Sequence, residues 1–346
     1  MRLPPGVRGI LVAFGAIGIG LLVLGFGLAA SGYDALAALS ALFRGGFGSG
    51  DAIFSGLLPR AVPLILIGLG IGLAFRAGAL NIGAEGQFYA GAIVATWVGL
   101  TLGTWPQLLA IPAVLVTGIV AGMLWVLVPV ALRLRFGVLE VITTLLLNFV
   151  AEALVSWMVQ GPLQESSGVY PQSDPLPLAT RLPQLSGTRL HAGIILVLLF
   201  AGALWVFLRF TLAGFRLRAT GAGLRAAAVV GRVRTDRVFG GALLVSAGCA
   251  GLAGAMEVSG TTFSLFQNLS PGYGFTAIAV ALLARLDPVA TVGTGLLIAG
   301  LQAGSSAMQR EAGVPAVAVR VVEATVIIVV LLADLARRRS ARDGGA

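Results

Sequence analysis

The chain has 346 residues, 58% of them hydrophobic and only 11% charged, with a mean hydropathy of +0.98. An ordinary soluble domain carries about a quarter charged residues, so a water-soluble fold is excluded, and repeated apolar runs of bilayer length read as membrane-spanning helices. The net charge of +9 comes from 23 basic residues, all of them arginine, and a chain without lysine cannot build the Gly-x-x-x-x-Gly-Lys-Ser/Thr loop that cradles the phosphates of ATP.

The expected elements, in chain order, begin with a short basic stretch (Arg2, Arg8) and an uncleaved first span over Ile10–Ala30. Residues 31–56 are expected to form an external connection with room for a short interfacial helix. Leu57–Phe75 returns inward, with Pro59 and Pro63 in its first turns, where proline costs least. Arg76 marks the cytoplasmic side.

The stretch Arg76 to Ala92 then sets Asn81, Glu85 and Gln87 among small and apolar residues at the entrance of the third span. A carboxylate and two carboxamides are expensive there unless they do something. Two readings stand: a helix junction whose polar groups satisfy broken backbone, and a lining of a translocation path. The third span runs outward over Ala90–Thr104, and Leu108–Leu132 returns to Arg133 and Arg135, arginines of the kind that flank cytoplasmic loops.

Gly137–Met158 goes out again, with Glu140, Thr144, Asn148 and Glu152 at spacings of four. Each step of four drifts only about 40° around a helix, so the four residues form a polar stripe about 18 Å long. Such a stripe serves either as glue between packed helices or as the wall of a path, and two acids in one span favour the path. Residues 160–190, rich in proline, serine and glycine with zero net charge, read as a long external loop and a docking surface for an external partner.

His191–Phe210 brings the chain back inside. The basic segment 211–237 follows, with a short helical stretch over Leu224–Val230 between Gly221, Gly223 and Gly231. A solvated cytoplasmic loop is one reading; a compact element built to sit in a groove is the other. Val238–Val258 goes out. Residues 259–272 are too polar for a full span and read as an external or re-entrant piece. Gly274–Ala284 is a short span, and Val289–Met308 and Ala316–Ala333 complete ten crossings with both termini cytoplasmic, closed by a basic tail at 336–346. The lone Cys249 and lone His191 make neither a disulfide nor a metal site. Gly83–Val94 and Gly272–Leu283 echo one another, and interrupted helices at corresponding positions of two halves point to a substrate site near the bilayer midplane. The fold class is therefore an all-α polytopic bundle forming one transmembrane domain, with broken or re-entrant helices.

Several of these stretches together carry a resemblance. Asn81-Ile-Gly-Ala-Glu-Gly-Gln87, Leu139 to Asn148, Gly161-Pro-Leu with Ser167 to Gln172, Gly221 to Gly231, and Gly251 to Glu257 with Gly272 to Val280 resemble the permeases of bacterial ABC importers for branched-chain amino acids, simple sugars and nucleosides, most closely the nucleoside and simple-sugar branch. The likeness spans roughly 55–335. Where relatives usually carry Asn-Pro at the docking helix, this chain has Gly223-Leu224.

The resemblance implies a multi-pass protein of the bacterial inner membrane with no catalytic residue, metal or cofactor of its own. ATP and Mg would be held by a separate double-cassette ATPase. A second homologous permease, more often a different chain than an identical one, would complete the pore, and an extracytoplasmic binding protein would deliver the solute. Gly221, Gly223, Leu224, Arg225, Ala226, Ala227 and Gly231 would dock the ATPase. Asn81, Gln87, Thr144 and Asn148 would meet the solute with amides and a hydroxyl, Phe263 and Phe275 with aromatic faces, while Glu85 and Glu152 would hold helix ends or water. The rival reading is an ion-coupled secondary transporter using its membrane carboxylates, which has no use for an arginine-rich docking segment.

Overall fold

The computed structural model describes residues 5–229, 231, 233–315 and the single positions 317, 321, 324 and 328. Among the described residues the secondary structure is helical apart from two isolated bridges, Gln172–Phe266 and Gln184–His191. Six helical stretches are long and apolar enough to cross a membrane: Ala52–Arg76, Gln107–Phe136, Glu140–Val159, Gly193–Phe210, Thr235–Thr262 and Pro288–Ala312. The expected first, third and eighth spans fall on α1 (Pro5–Ala30), α4 (Ala84–Thr101) and α11 (Tyr273–Leu283). Most of the expected tenth span, and the whole tail 336–346, lie outside the described residues.

The chain divides into two units. The first comprises residues 1–60 and 297–346. Within it, α2 (Ala35–Phe47) fills part of the connection expected at 31–56, and Asp34 starts it by accepting hydrogen bonds from the amides of Leu36 (3.0 Å) and Ala37 (2.9 Å). α2 packs on the C-terminal half of α12 (Pro288–Ala312) through Gly45, Gly46, Gly300 and Gly304, where an added methyl would meet backbone, the Ala307 methyl or the Phe47 ring. Arg44 and Glu311 close this face with an exposed ion pair at 2.9 Å.

The second unit comprises residues 61–296. Its frame is α3 (Leu58–Arg76), α4, α5 (Gln107–Phe136) and α10 (Thr235–Met256). α3 is apolar on every side and buried on every side, as a helix with no polar face must be. It does not start at Leu57 as expected. A π-helical turn over Ala52–Leu57 leads into it, so Pro63 lies inside the helix. Prolines 59 and 63 cannot donate to the carbonyls one turn back, and a widened turn accommodates that loss.

α4, α5 and α10 cross at small residues. Gly251 of α10 touches the backbone of Gly91 on one side and of Gly118 and Gly122 on the other, and Gly254 lies against the Phe88 carbonyl. Apolar side chains gain little by leaving lipid for a helix interface, so close backbone approach is what holds such a crossing together.

The loop after α6 (Glu140–Val159) is anchored, not free. The Ser173 amide donates to the Leu265 carbonyl (2.7 Å), Leu176 to Phe263 (2.8 Å) and Leu182 to Ser259 (2.8 Å), and Leu176, Ser173 and Thr180 are fully buried. Its partner strand of chain, 257–266, begins as a π-helical continuation of α10 over Glu257–Thr262. Backbone that looks structureless in sequence thus finds its partners about ninety residues away.

Candidate functional site

The helical path is interrupted after Arg76, and α4 starts only at Ala84. The first amides of a helix have no partner inside it. Here Asn148 of α6 and Asn81 of the break itself supply them, and Gln87 of α4 and Ser246 of α10 hold the Asn81 side chain. Asn148 of α6 accepts from the Gly86 amide (2.8 Å) and donates to the Ile82 carbonyl (3.0 Å). Asn81 accepts from the Gly83 amide (3.0 Å) and from Gln87 Nε2 (3.0 Å), and donates to Gln87 Oε1 (2.8 Å) and to Ser246 Oγ of α10 (2.9 Å). Thr144 donates to the Glu140 carbonyl (2.7 Å) and packs directly on Gly83, where a methyl group would not fit. Below it, Glu140 pairs with Arg133 Nε at 3.3 Å. All of these side chains but that of Arg133 are buried. The result is a polar clasp around 80–87 closed within the chain, with Glu140 Oε2 held by the Arg133 ion pair and by no hydrogen bond among the described residues.

A second break ends beside the first. α11 starts at Tyr273 after a glycine cap at φ +95°, and its Gly274 lies against the backbone of Ala84 and Glu85. Glu85 accepts the Gly274 amide at 2.6 Å, a carboxylate at a helix N-terminus where the peptide dipoles favour it. Phe88 and Tyr273 pack with ring centres 5.9 Å apart, and the Tyr89 hydroxyl accepts from the Ser270 amide (3.3 Å). The two stretches that echo one another in sequence therefore meet at their helix starts.

Of the eight residues expected on a path, Asn81, Glu85, Gln87, Thr144 and Asn148 are buried in this clasp. Phe263 sits in a left-handed backbone conformation with the Arg181 guanidinium 4.6 Å above its ring. Glu152 and Phe275 are exposed. Glu152 opens onto a polar cavity of about 230 Å³ lined also by Tyr89, Val155, Ser156, Gln267 and Asn268. The stripe on α6 does not keep one face: Glu140, Thr144 and Asn148 are buried and Glu152 is not. A drift of about 40° per step carries it from the interior to the surface. Ser156 and Gln160 continue the same spacing of four, a signal that could have found them. Ser246, Ser270, Gln267 and Asn268 carry no such signal.

The basic segment folds as α8 (Leu212–Ala222) and α9 (Leu224–Val229), joined at Gly223. Thr211 caps α8 by accepting the Gly214 amide (3.0 Å). Gly221 stands against the Arg76 carbonyl and the Gly78 amide, with no room for a methyl. The segment thus touches the first residues of the clasped junction. A groove of about 560 Å³ runs between α8 and α9, lined by Phe215, Ala219, Ala222, Ala226, Ala227 and Val233 among others. Ala226 and Val229 are exposed, whereas Ala227 is buried and Gly231 lies beside its carbonyl. The side chains of Leu224 and Arg225 lie outside the described residues.

Among the described residues no group of three His, Cys, Asp or Glu side chains is placed to hold a metal ion. His191 is buried beside Gly193 and Gly260, accepts the Gly193 amide at Nδ1 (3.2 Å), and burial pushes its imidazole down to about 4.

Residues 53–331 match the family described as branched-chain amino acid transport system / permease component. A glucose ABC transporter permease protein of Haloferax volcanii is 36% identical over 293 residues, 82% of this chain and 77% of its own length. A guanosine ABC transporter permease protein of Bacillus subtilis is 36% identical over 328 residues, 93% of this chain and 92% of its own. A second guanosine ABC transporter permease protein of the same organism is 27% identical over 259 residues, 69% and 77% of the two chains. No solved structure matches.

Proposed function

The chain belongs to the permease family of branched-chain amino acid transport systems, a multi-pass membrane transport subunit and not an enzyme, and from that premise we propose that it forms half of the translocation path of an ABC importer for nucleosides or related simple sugars. The substrate class rests on the guanosine and glucose permeases to which it is similar. Energy comes from a double-cassette ATPase that carries the ATP and Mg, for which α8 and α9 form the docking element through Gly223, Ala226 and Gly231, with Gly221 seating that element on the junction. The other half of the pore is a second, related permease, in keeping with the two guanosine permeases of one organism that both match this chain. An extracytoplasmic binding protein delivers the solute, and the assembly sits in a bacterial inner membrane.

The observation that carries the mechanism is the seat of Gly221 on the Arg76 carbonyl. ATP binding closes the ATPase and displaces α8 and α9. That displacement bears on residues 76–83, which the Asn81 and Asn148 bonds tie rigidly to the start of α4. α4 shares the Gly91–Gly251 crossing with α10, so the spans move as packed bodies and open the path to one side at a time. Glu152 and Phe275, both exposed, border the path, and the clasp residues Asn81, Gln87, Thr144 and Asn148 hold its geometry.

The test is uptake of labelled guanosine and glucose into proteoliposomes holding this chain with its ATPase and second permease, in the presence of the binding protein. Uptake requires ATP and is indifferent to a proton gradient. Uptake that persists without ATP under a proton gradient overturns the assignment in favour of an ion-coupled carrier.

A further inference from the structure

We propose that the cavity bounded by Tyr89, Glu152, Ser156, Gln267 and Asn268 is a solute subsite that reads a vicinal diol, the chemistry shared by the ribose of a nucleoside and by a free sugar; this rests on the permease reading above. Glu152 lies about 18 Å along α6 from Glu140 and about 10 Å from Val159, inside the span. No hydrogen bond or ion pair among the described residues holds it, and it is exposed. An ionisable group at such depth faces water or protein, not lipid. At 100° per residue it stands about 120° away from the middle of the exposed apolar face of Ile142, Leu146, Val150 and Trp157, which suits lipid or a partner helix.

The surrounding groups supply the complementary half of the recognition. Ser156 Oγ already accepts from Gln267 Nε2 (2.6 Å) and Gln160 Nε2 (2.8 Å), so its own hydrogen is left to donate. The Tyr89 oxygen accepts from the Ser270 amide, which likewise leaves its hydrogen free. Two donating hydroxyls and one two-oxygen acceptor fit adjacent hydroxyl groups, each of which donates one hydrogen and accepts another. The volume of about 230 Å³ is below the roughly 300–1,000 Å³ of sites for drug-sized ligands and suits one ring at a time. Asn268, which also lines the cavity, is in a left-handed conformation at φ 59°.

The experiment compares uptake of guanosine, 2′-deoxyguanosine, methyl ribofuranoside and methyl 2-deoxyribofuranoside by the complete importer, wild type against Glu152→Gln and Asn268→Gly; the locked furanose ring leaves the deoxy compounds without a vicinal diol. The second variant suits the positive φ and removes the amide. Wild type favours each diol over its deoxy analogue by about tenfold in KM, the scale of one hydrogen bond to a charged group. Glu152→Gln abolishes that preference by weakening diol uptake about tenfold more than deoxy uptake, and Asn268→Gly shifts it in the same direction. Preference confined to guanosine identifies a nucleoside as the source of the diol, and preference confined to the ribofuranoside a sugar. Equal loss for diol and deoxy solutes, an unchanged preference in Glu152→Gln, or loss of the second permease from the purified complex overturns the subsite and leaves the importer reading intact. Absence of ATP-dependent uptake of any solute by the wild type overturns the importer reading and the subsite with it.

Discussion

Replacing Asn148 with leucine removes a side chain that serves two backbone groups at once. Its carboxamide accepts from the buried Gly86 amide and donates to the part-buried Ile82 carbonyl. Gly86 is in the first turn of α4, so its amide has no helical partner to fall back on. Each orphaned group costs about 1–3 kcal/mol. The leucine methyls recover about 1–2 kcal/mol of apolar burial, which leaves a net loss of about 2.5 kcal/mol at mid-range on the same scales. The expected result is a fall of several degrees in the unfolding temperature of the purified importer, faster hydrogen exchange at the Gly86 amide, and reduced uptake from protein still present in the membrane. Leu146→Ala, on the exposed face of the same helix, serves as control and changes little. Wild-type unfolding temperature and unchanged Gly86 protection in Asn148→Leu would refute the clasp.

Three further outcomes follow from other parts of the fold. Gly251→Leu drives a side chain into the backbones of α4 and α5 together; with no flexible neighbour to yield, the loss exceeds about 3 kcal/mol and the protein fails to accumulate in the membrane. Val229→Asp, on the exposed side of α9, weakens co-purification of the ATPase and leaves the unfolding temperature unchanged, whereas Ala227→Asp lowers that temperature because Ala227 is buried. His191 is held neutral by burial, with its pKa depressed from 6.5 to about 4. Between those values the unfolded chain takes up a proton that the folded chain refuses, so stability falls as pH drops from about 6.5 to about 4, by up to about 3 kcal/mol, and then levels off. His191→Gln flattens that part of an unfolding-temperature profile; a profile as steep as wild type would count against the burial argument. The carboxylates of Glu165 and Asp174 are held below their usual range by hydrogen bonds from Ser167 and Ser166, so their contribution is present above the normal carboxylate range and lost as pH falls below it, from the acid end of the histidine window downward.

Much of the helical architecture was legible because a bilayer demands it: apolar runs of fixed length separated by arginines leave few alternatives. The cost of Asn81, Glu85 and Gln87 in such a setting also singled out the junction correctly as a place where backbone is interrupted. What the spacing could not reveal was who pairs with whom. Asn81 bonds Ser246, 165 residues away, and Glu85 meets Gly274, 189 residues away. Neither partner belongs to a periodic pattern. The stripe on α6 was visible as a spacing of four, but the slow drift of that spacing sends Glu140 inward and Glu152 outward, so one sequence signal covers two environments. The loop over 160–190 read as unstructured because its proline and serine residues favour no local element; its order comes from chain segment 257–266, which no local rule connects to it.

The coupling claim is tested most directly by Gly221→Ala in the complete importer. A methyl there runs into the Arg76 carbonyl and carbon, backbone atoms that cannot swing aside. Seating of α8 against the junction is then lost while the exposed face of α9 remains. The prediction is an assembled complex that still binds its ATPase and hydrolyses ATP, with uptake per ATP reduced at least about tenfold, the equivalent of roughly 1.4 kcal/mol of coupling. Wild-type uptake per ATP in that variant would show that the contact of Gly221 with Arg76 does not transmit the motion.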